Sequence, residues 1–201
     1  MVSLDYVVSA SGDDGGVDET GAFSNSGSIH YIGWWDGAAC NLYVRFLAVT
    51  IPVGAIITVA YLSFREGSVD GNGGSATIYG DDSASPTAPT SAATYNAKVL
   101  TSASVPWSPG TSAGWKNTPS LVSIVQEIVD SYNLSAGAPV QFLVKGGGSG
   151  QNDASMRAFD YFSTPINQYA PKLHIEYSVA VPGSSLVVPI HRRRFNAIIV
   201  R

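Results

Sequence analysis

Between Leu42 and Phe64 the chain reads LYVRFLAVTIPVGAIITVAYLSF, with apolar side chains at every second position in Leu42, Val44 and Phe46 and again in Ala60, Leu62 and Phe64. A period of two is that of a strand presenting one face to a core, so this stretch predicts two antiparallel strands with one sheet face buried. Pro52 fixes φ and donates no hydrogen bond, and Gly54 tolerates positive φ, so the Pro52-Val53-Gly54 turn should fold the two runs into a hairpin. Upstream, LDYVVS (4–9) predicts a first strand, followed by the polar, Gly-rich loop SGDDGGVDETGAFSNSGS. Its acids Asp13, Asp14, Asp18 and Glu19 are expected to be solvated, as in most such runs. Ile29 to Trp35 (IHYIGWW) has strand-like aromatics and is expected at a sheet edge, with Asp36-Gly37 as a strong turn signal after it.

Beyond Phe64 the alternation is interrupted by REGSVDGNGGS and resumes in Ala76 to Tyr79. The segment GDDSASPTAPTSAATYN, with Pro86 and Pro89, is too Pro-rich for a helix and too long for a hairpin turn, so it predicts a loop crossing between sheets. Val99 to Trp107 is again extended, with Pro106 placing it at an edge or strand end. One helix is predicted, in TPSLVSIVQEIVDSYN: Leu121, Ile124, Val125, Ile128 and Tyr132 repeat at three and four, with Gln126, Glu127, Asp130 and Ser131 opposite. Thr118 is its expected cap, Pro119 its first residue and Asn133 its end, and it should pack flat on the sandwich. Trp107 and Trp115 are expected beneath it. Then Pro139 to Lys145 predicts a core strand, Met156 to Phe162 its antiparallel partner, and Pro171 to Ser178 a closing strand.

Composition sharpens this picture without changing it. With 201 residues, 21 glycines, 11 prolines and 13% charged residues, the chain favours short strands and tight turns, and is long enough to bury a core without staples. Cys40 is alone, so no intrachain disulfide is possible, and it reads as a small buried hydrophobe. MVSLDYVVSASGDDGG has neither a basic start nor a long apolar segment, so no secretory signal is expected, and no apolar run approaches the roughly 20 residues that span a bilayer. Charge is unevenly placed: residues 1–181 hold 7 basic and 15 acidic residues, residues 182–201 hold 4 basic and none acidic.

The succession of RFL, the IP-V-GA-I-T-A-L-F run, I-Y-G-D-D, V-P-W, TPSLVSIVQEIVDSYNLSAGAPVQFLVKG and APKLHIEY resembles the DNRLRE-type (disaggregatase-related) β-sandwich domain, over about residues 5 to 178. The resemblance implies a jelly-roll-like scaffold of the kind found in extracellular microbial proteins and in many phage structural proteins. Its motifs are packing motifs and imply no chemistry. The expected fold is therefore all-β, a jelly-roll-like antiparallel β-sandwich (1–181) with one packed α-helix at about 118–132 and an extended C-terminal arm (182–201).

Candidate chemistry is sparse. The histidines are His30, His174 and His191, and neither G-x-S-x-G nor HExxH is present, so His30 and His174 read as hydrogen-bonded structural residues in strands. Asp153 with Asp160, or Asp81 with Asp82, could serve as paired carboxylates of a glycosidase, although loop acids are mostly turn formers. No cofactor is expected. Structural calcium stays open, with Asp13, Asp14 and Asp18 as one oxygen cluster and Asp70, Asn72 and Asp81 as a partial EF-hand likeness that lacks its glycine at Ser75. Tyr31, Trp34 and Trp35 cluster beside a turn, and adjacent strand residues face opposite sides, so at least one Trp should be free to stack on a sugar, with Asp36 bonding hydroxyls.

The C-terminal LVVPIHRRRFNAIIVR is the most unusual segment. Two apolar strand-like runs, with Leu186, Val188 and Ile190 in one and Phe195, Ile198 and Val200 in the other, flank Arg192, Arg193 and Arg194. Such a segment favours a protein partner, either copies of itself or another virion protein. Three arginines on an acidic body make nucleic acid a poor partner, no membrane is expected, and folding back on its own sandwich is the competing outcome. Taken with the absent catalytic set and secretory signal and with this segment, the resemblance implies a non-enzymatic phage virion structural protein, a decoration, collar or tail component anchored by residues 182–201. The alternative is a carbohydrate-binding module on a cell-surface glycan.

Overall fold

The computed structural model describes residues 1–27, 29–69, 74–110, 112–149, 154–157 and 168–179. The strands are β1 (Val2–Val7), β2 (Asp14–Val17), β3 (Phe23–Ser24), β4 (Ile29–Trp35), β5 (Ala38–Val49), β6 (Ala55–Val69) and β7 (Ala76–Asp81). A short helix α1 (Ala92–Asn96) then precedes β8 (Leu100–Trp107), β9 (Gly114–Asn117), α2 (Val122–Ser131), β10 (Ala138–Gly146), β11 (Ala154–Arg157) and β12 (Lys172–Val179). Among the described residues every strand pairing is antiparallel. The fold is an all-β sandwich with a packed helix, as expected; the arm 182–201 lies outside the described residues.

The long apolar stretch does not form a hairpin. β5 pairs with β10, β2 and β4, whereas β6 pairs with β12, β11 and β9, so the turn carries the chain from one sheet to the other. Gly54 takes the expected positive φ of 75°. Leu42, Val44 and Phe46 of β5 and Ala60, Leu62 and Phe64 of β6 belong to one buried cluster, so the two alternating faces meet across the core. Alternation alone specifies which side of a strand is buried, not which neighbour it pairs with. β5 is moreover covered on both sides, because Tyr43 points the other way into a small cluster with Val17, Tyr95 and Leu143.

β4 joins the two sheets. It pairs with β11 on one side, and through Gly33, Trp34 and Trp35 with Cys40, Ala39 and Ala38 of β5 on the other, so it is interior to the sheet order and not an edge. Asp36 and Gly37, at φ 45° and 90°, form the two-residue loop of this true hairpin, where both positions require positive φ. β11, of which Met156 and Arg157 overlap the predicted 156–162 strand, pairs with β4 and β6 and not with β10. Pro106 lies in β8, the terminal strand of its sheet, where its missing N–H goes unneeded. The Pro-rich loop does contain a helix: in α1 the Ser91 side chain caps the Thr94 amide and Thr94 reciprocates, an exchange of bonds that offsets the poor helix composition around it.

Helix α2 closes the open side between the sheets, packing on β6, β7 and β8. It begins later than expected because Thr118 is used elsewhere. The Thr118 hydroxyl accepts the Leu62 amide at 3.1 Å and donates to the Pro119 carbonyl at 2.9 Å, so it extends the edge of β6 instead of capping a helix. Leu121 takes the cap position without a side-chain bond. The buried face, Ile124, Val125, Ile128 and Val129, follows the predicted period. The polar face is also occupied. The Gln126 side chain accepts from the Ile57 amide and donates to the Ala55 carbonyl, and the Glu127 carboxylate accepts the Ser102 and Ala103 amides at 2.7 Å each. These bonds satisfy strand-edge groups that would otherwise invite another chain. Trp107 is buried and stacks on Phe64 at 5.3 Å, but Trp115 is 42% exposed and lies outside the core, contrary to expectation.

Candidate functional site

The N-terminal acidic stretch is where sequence and structure part most, and it builds the cleft of interest. Asp13 and Asp14 are buried, not solvated. Gly15 and Gly16 let β2 approach β5 closely, in register Asp14↔Val44 to Val17↔Asn41, and Asp13 forms an ion pair with Arg45, whose Nε lies 2.7 Å from it. The chain then turns tightly. The Asp18 carboxylate accepts the Thr20 amide and hydroxyl and the Ala22 amide at 2.7–2.9 Å, and Gly21 supplies a φ of 80°. Partial burial raises the Asp18 carboxyl, but the bonds from Thr20 and Ala22 outweigh it and hold it below the usual carboxylate range.

This turn overhangs β4 and β5 to leave an open cleft of about 200 Å³, lined by Gly16, Asp18, Glu19, His30, Tyr31 and Asn41 among others. Tyr31 is 44% exposed at its margin. Asn41 is fixed, with Oδ1 accepting the Gly146 amide at 2.9 Å and Nδ2 donating to the Ala39 carbonyl. The buried Cys40 thiol approaches Glu19 Oε2 at 3.7 Å. His30 is buried against the backbones of Gly16 and Gly27, and its Nε2 finds no hydrogen-bond partner. Burial lowers its pKa to about 4, against a smaller opposing effect of the Gly27 backbone bond, so the ring is neutral at pH 7. Among the described residues the lining thus offers carboxylate, amide, imidazole and hydroxyl groups and no cation.

Of the sequence-derived sugar-binding residues, Tyr31 alone lines the cleft. Trp34 and Trp35 are half-buried in the β4–β5 hairpin, and Asp36 is exposed as its turn former. Leu186, Val188, Ile190, Arg192, Arg193, Arg194, Phe195, Ile198 and Val200 lie outside the described residues, as do His191, Asp70, Asn72, Asp153 and Asp160. Asp81 is buried, bonded to Lys98 and Gln141 at 3.0 Å each, and Asp82 accepts the Tyr132 hydroxyl. Both acids therefore hold structure together. Burial raises the Asp81 carboxyl, with Lys98 opposing. His174 bonds Asp5 at 2.7 Å and Glu176 at 3.4 Å and stacks on Tyr61, while His30 departs from the expectation of a fully bonded ring. Among the described residues no group of three or more His, Cys, Asp or Glu side chains is arranged to hold a metal ion, and no helix is long and apolar enough to cross a membrane.

Sequence reasoning passed over Asp18, Glu19, His30 and Asn41 as a group. The available signal was the spacing of Gly15-Gly16 before the acids, which marks a close approach of two backbones. No protein-family model matches the chain, and no curated protein matches it.

Proposed function

We propose that this chain is a non-enzymatic β-sandwich of a phage particle, displayed on its surface and anchored through residues 182–201 to a protein partner. The observation that carries the reading is the continuity of the core: residues from Val8 to Tyr177 pack into one cluster, and the edge groups of β6 and β8 are taken up by Thr118, Gln126 and Glu127. A body that completes its own packing gains little from a further apolar, arginine-bearing segment, which suits burial at a contact instead. The likeness to DNRLRE-type domains supports the same reading. The candidate acids Asp81 and Asp82 and the His174 ring, each engaged in structural bonds, support a scaffold more than a catalyst. Removing residues 182–201 is expected to leave the thermal unfolding midpoint nearly unchanged while abolishing incorporation into particles or oligomers, measured by light scattering and electron microscopy. A truncated chain that still assembles overturns the proposal.

A second reading, attachment to a cell-surface glycan, draws on the exposure of Tyr31 beside a polar, cation-free cleft. Its size, below the roughly 300–1,000 Å³ of drug-sized sites, suits a single sugar ring. On a glycan array the full chain should bind neutral sugars with millimolar to micromolar affinity, and Tyr31→Ala should lose the signal, since a stacked ring contributes on the order of 1 kcal/mol or more. Absence of binding to any neutral glycan removes this reading without touching the first.

A further inference from the structure

The sheet face turned away from the core by β9, β6 and β12 carries cations as well as acids. Alternation puts Tyr61, Ser63 and Arg65 of β6, Lys172 and His174 of β12, and Trp115 and Asn117 of β9 on this side, since Leu62, Phe64, Leu173 and Ile175 point into the core; the acids of the same face, Asp5 and Glu176, are both drawn to His174. Registers bring them together: Arg65 sits opposite Trp115, and Ser63 opposite both Lys172 and Asn117. Lys172 Nζ lies 4.3 Å from the centre of the Trp115 ring, and the Arg65 guanidinium lies 5.5 Å from that of Tyr169. Tyr61 and His174 stack at 4.8 Å, continuing the aromatic row.

Two features separate this face from an ordinary solvated sheet. Neither Lys172 nor Arg65 forms an ion pair among the described residues; both are held over aromatic rings in a chain whose net charge is −4, and Arg65 also donates Nη1 to the Glu66 carbonyl at 2.6 Å. And Trp115, the largest side chain type, stays 42% exposed beside them instead of entering the core. Cations with no carboxylate partner among the described residues, pinned next to an exposed indole, offer a carboxylate its counter-charge and a sugar ring its stacking surface at once. We propose that this face binds a carboxylated saccharide, with Trp115 stacking on a ring and Lys172 and Arg65 pairing with its acid group. A nucleic acid, with a phosphate at every residue, meets stronger repulsion from the acidic body than a glycan bearing scattered carboxylates. The site is distinct from the cation-free cleft at Tyr31 and does not depend on it.

The test titrates the full chain with 3′-sialyllactose and with trigalacturonate, using lactose and a dT oligonucleotide as comparators, by calorimetry or by chemical-shift mapping. Binding of at least one acidic sugar, at least tenfold tighter than lactose and weakened by salt, is expected. Trp115→Ala and Lys172→Ala should each lower affinity about tenfold with unfolding midpoints unchanged, while Tyr31→Ala leaves it intact. Because Lys172→Gln removes charge and keeps the stem, it guards against a packing defect as the cause. Equal affinity for lactose, tighter binding of dT, indifference to Trp115→Ala and Lys172→Gln, or no binding of either acidic sugar would each overturn the assignment.

Discussion

Gly146→Ala is expected to destabilise the protein by about 3 kcal/mol and to lower its unfolding midpoint by roughly 6–12 degrees, the upper end for overpacked core sites. Gly146 ends β10 where β4 and β5 come together at the corner of the sandwich. A Cβ there would lie against the carbonyl oxygens of Cys40 and Gly33 and against the Gly33 amide, well inside van der Waals contact. All three neighbours are backbone, so no rotamer change relieves the clash. The strands must separate, and the bond from the Gly146 amide to Asn41 Oδ1 goes with them. By contrast Gly147, the next residue, has nothing within 4 Å of an added Cβ, so Gly147→Ala should be nearly neutral. Thermal unfolding followed by circular dichroism compares the two; similar midpoints would mean that the corner is not as tight as its geometry.

That corner also shows what could and could not be read along the chain. The Asp36-Gly37 turn was legible because a two-residue hairpin with both φ positive leaves almost no other choice of residue. The buried face of α2 was legible because its period is local. Partnership was not. Leu42 to Phe46 and Ala60 to Phe64 have the same alternation whether they pair side by side or face each other across a core, and only the competition of β10, β12 and β2 for their edges settles it. Thr118 misled for a related reason: its hydroxyl suits a helix cap or a strand-edge amide equally, and the strand edge at Leu62 took it. The cleft was the least legible feature, since Asp18, Glu19, His30 and Asn41 come from three separate segments joined only by the register of β2 on β5 and by the close approach of β4.

The second large effect is acid sensitivity set by His30. Its folded pKa of about 4 lies below the unfolded value of 6.5, because burial without a partner for Nε2 disfavours the charged ring. Between those values the unfolded chain takes up the proton more readily than the folded one, so stability is intact above pH 6.5 and is lost as pH falls toward 4. The full loss is about 3 kcal/mol, at 1.36 kcal/mol for each unit of pKa difference. Other groups titrate with the opposite sign. Burial raises the Glu66 and Asp81 carboxyls, so the folded form takes up their protons first and gains relative stability as pH falls. The bond to Asp5 raises His174, whose stabilisation is present at low pH and disappears as pH rises through its folded pKa.

These opposing contributions are common to the native protein and to a His30→Leu variant, so the difference between the two isolates the ring. Urea unfolding at pH 7.5 should find the variant less stable by about 1 kcal/mol, because Leu keeps the apolar contacts and loses nothing at Nε2 but gives up the ring's bond to the Gly27 backbone. Between pH 7.5 and pH 4.5 the variant should gain about 2–3 kcal/mol relative to the native protein, with unchanged dependence on denaturant. Parallel stability curves across this range would show that the folded protein accepts a proton at His30 without cost. A ring that charges freely requires an acceptor or water at Nε2, which would make the cleft wetter and its polar lining more open to a ligand than the described packing allows.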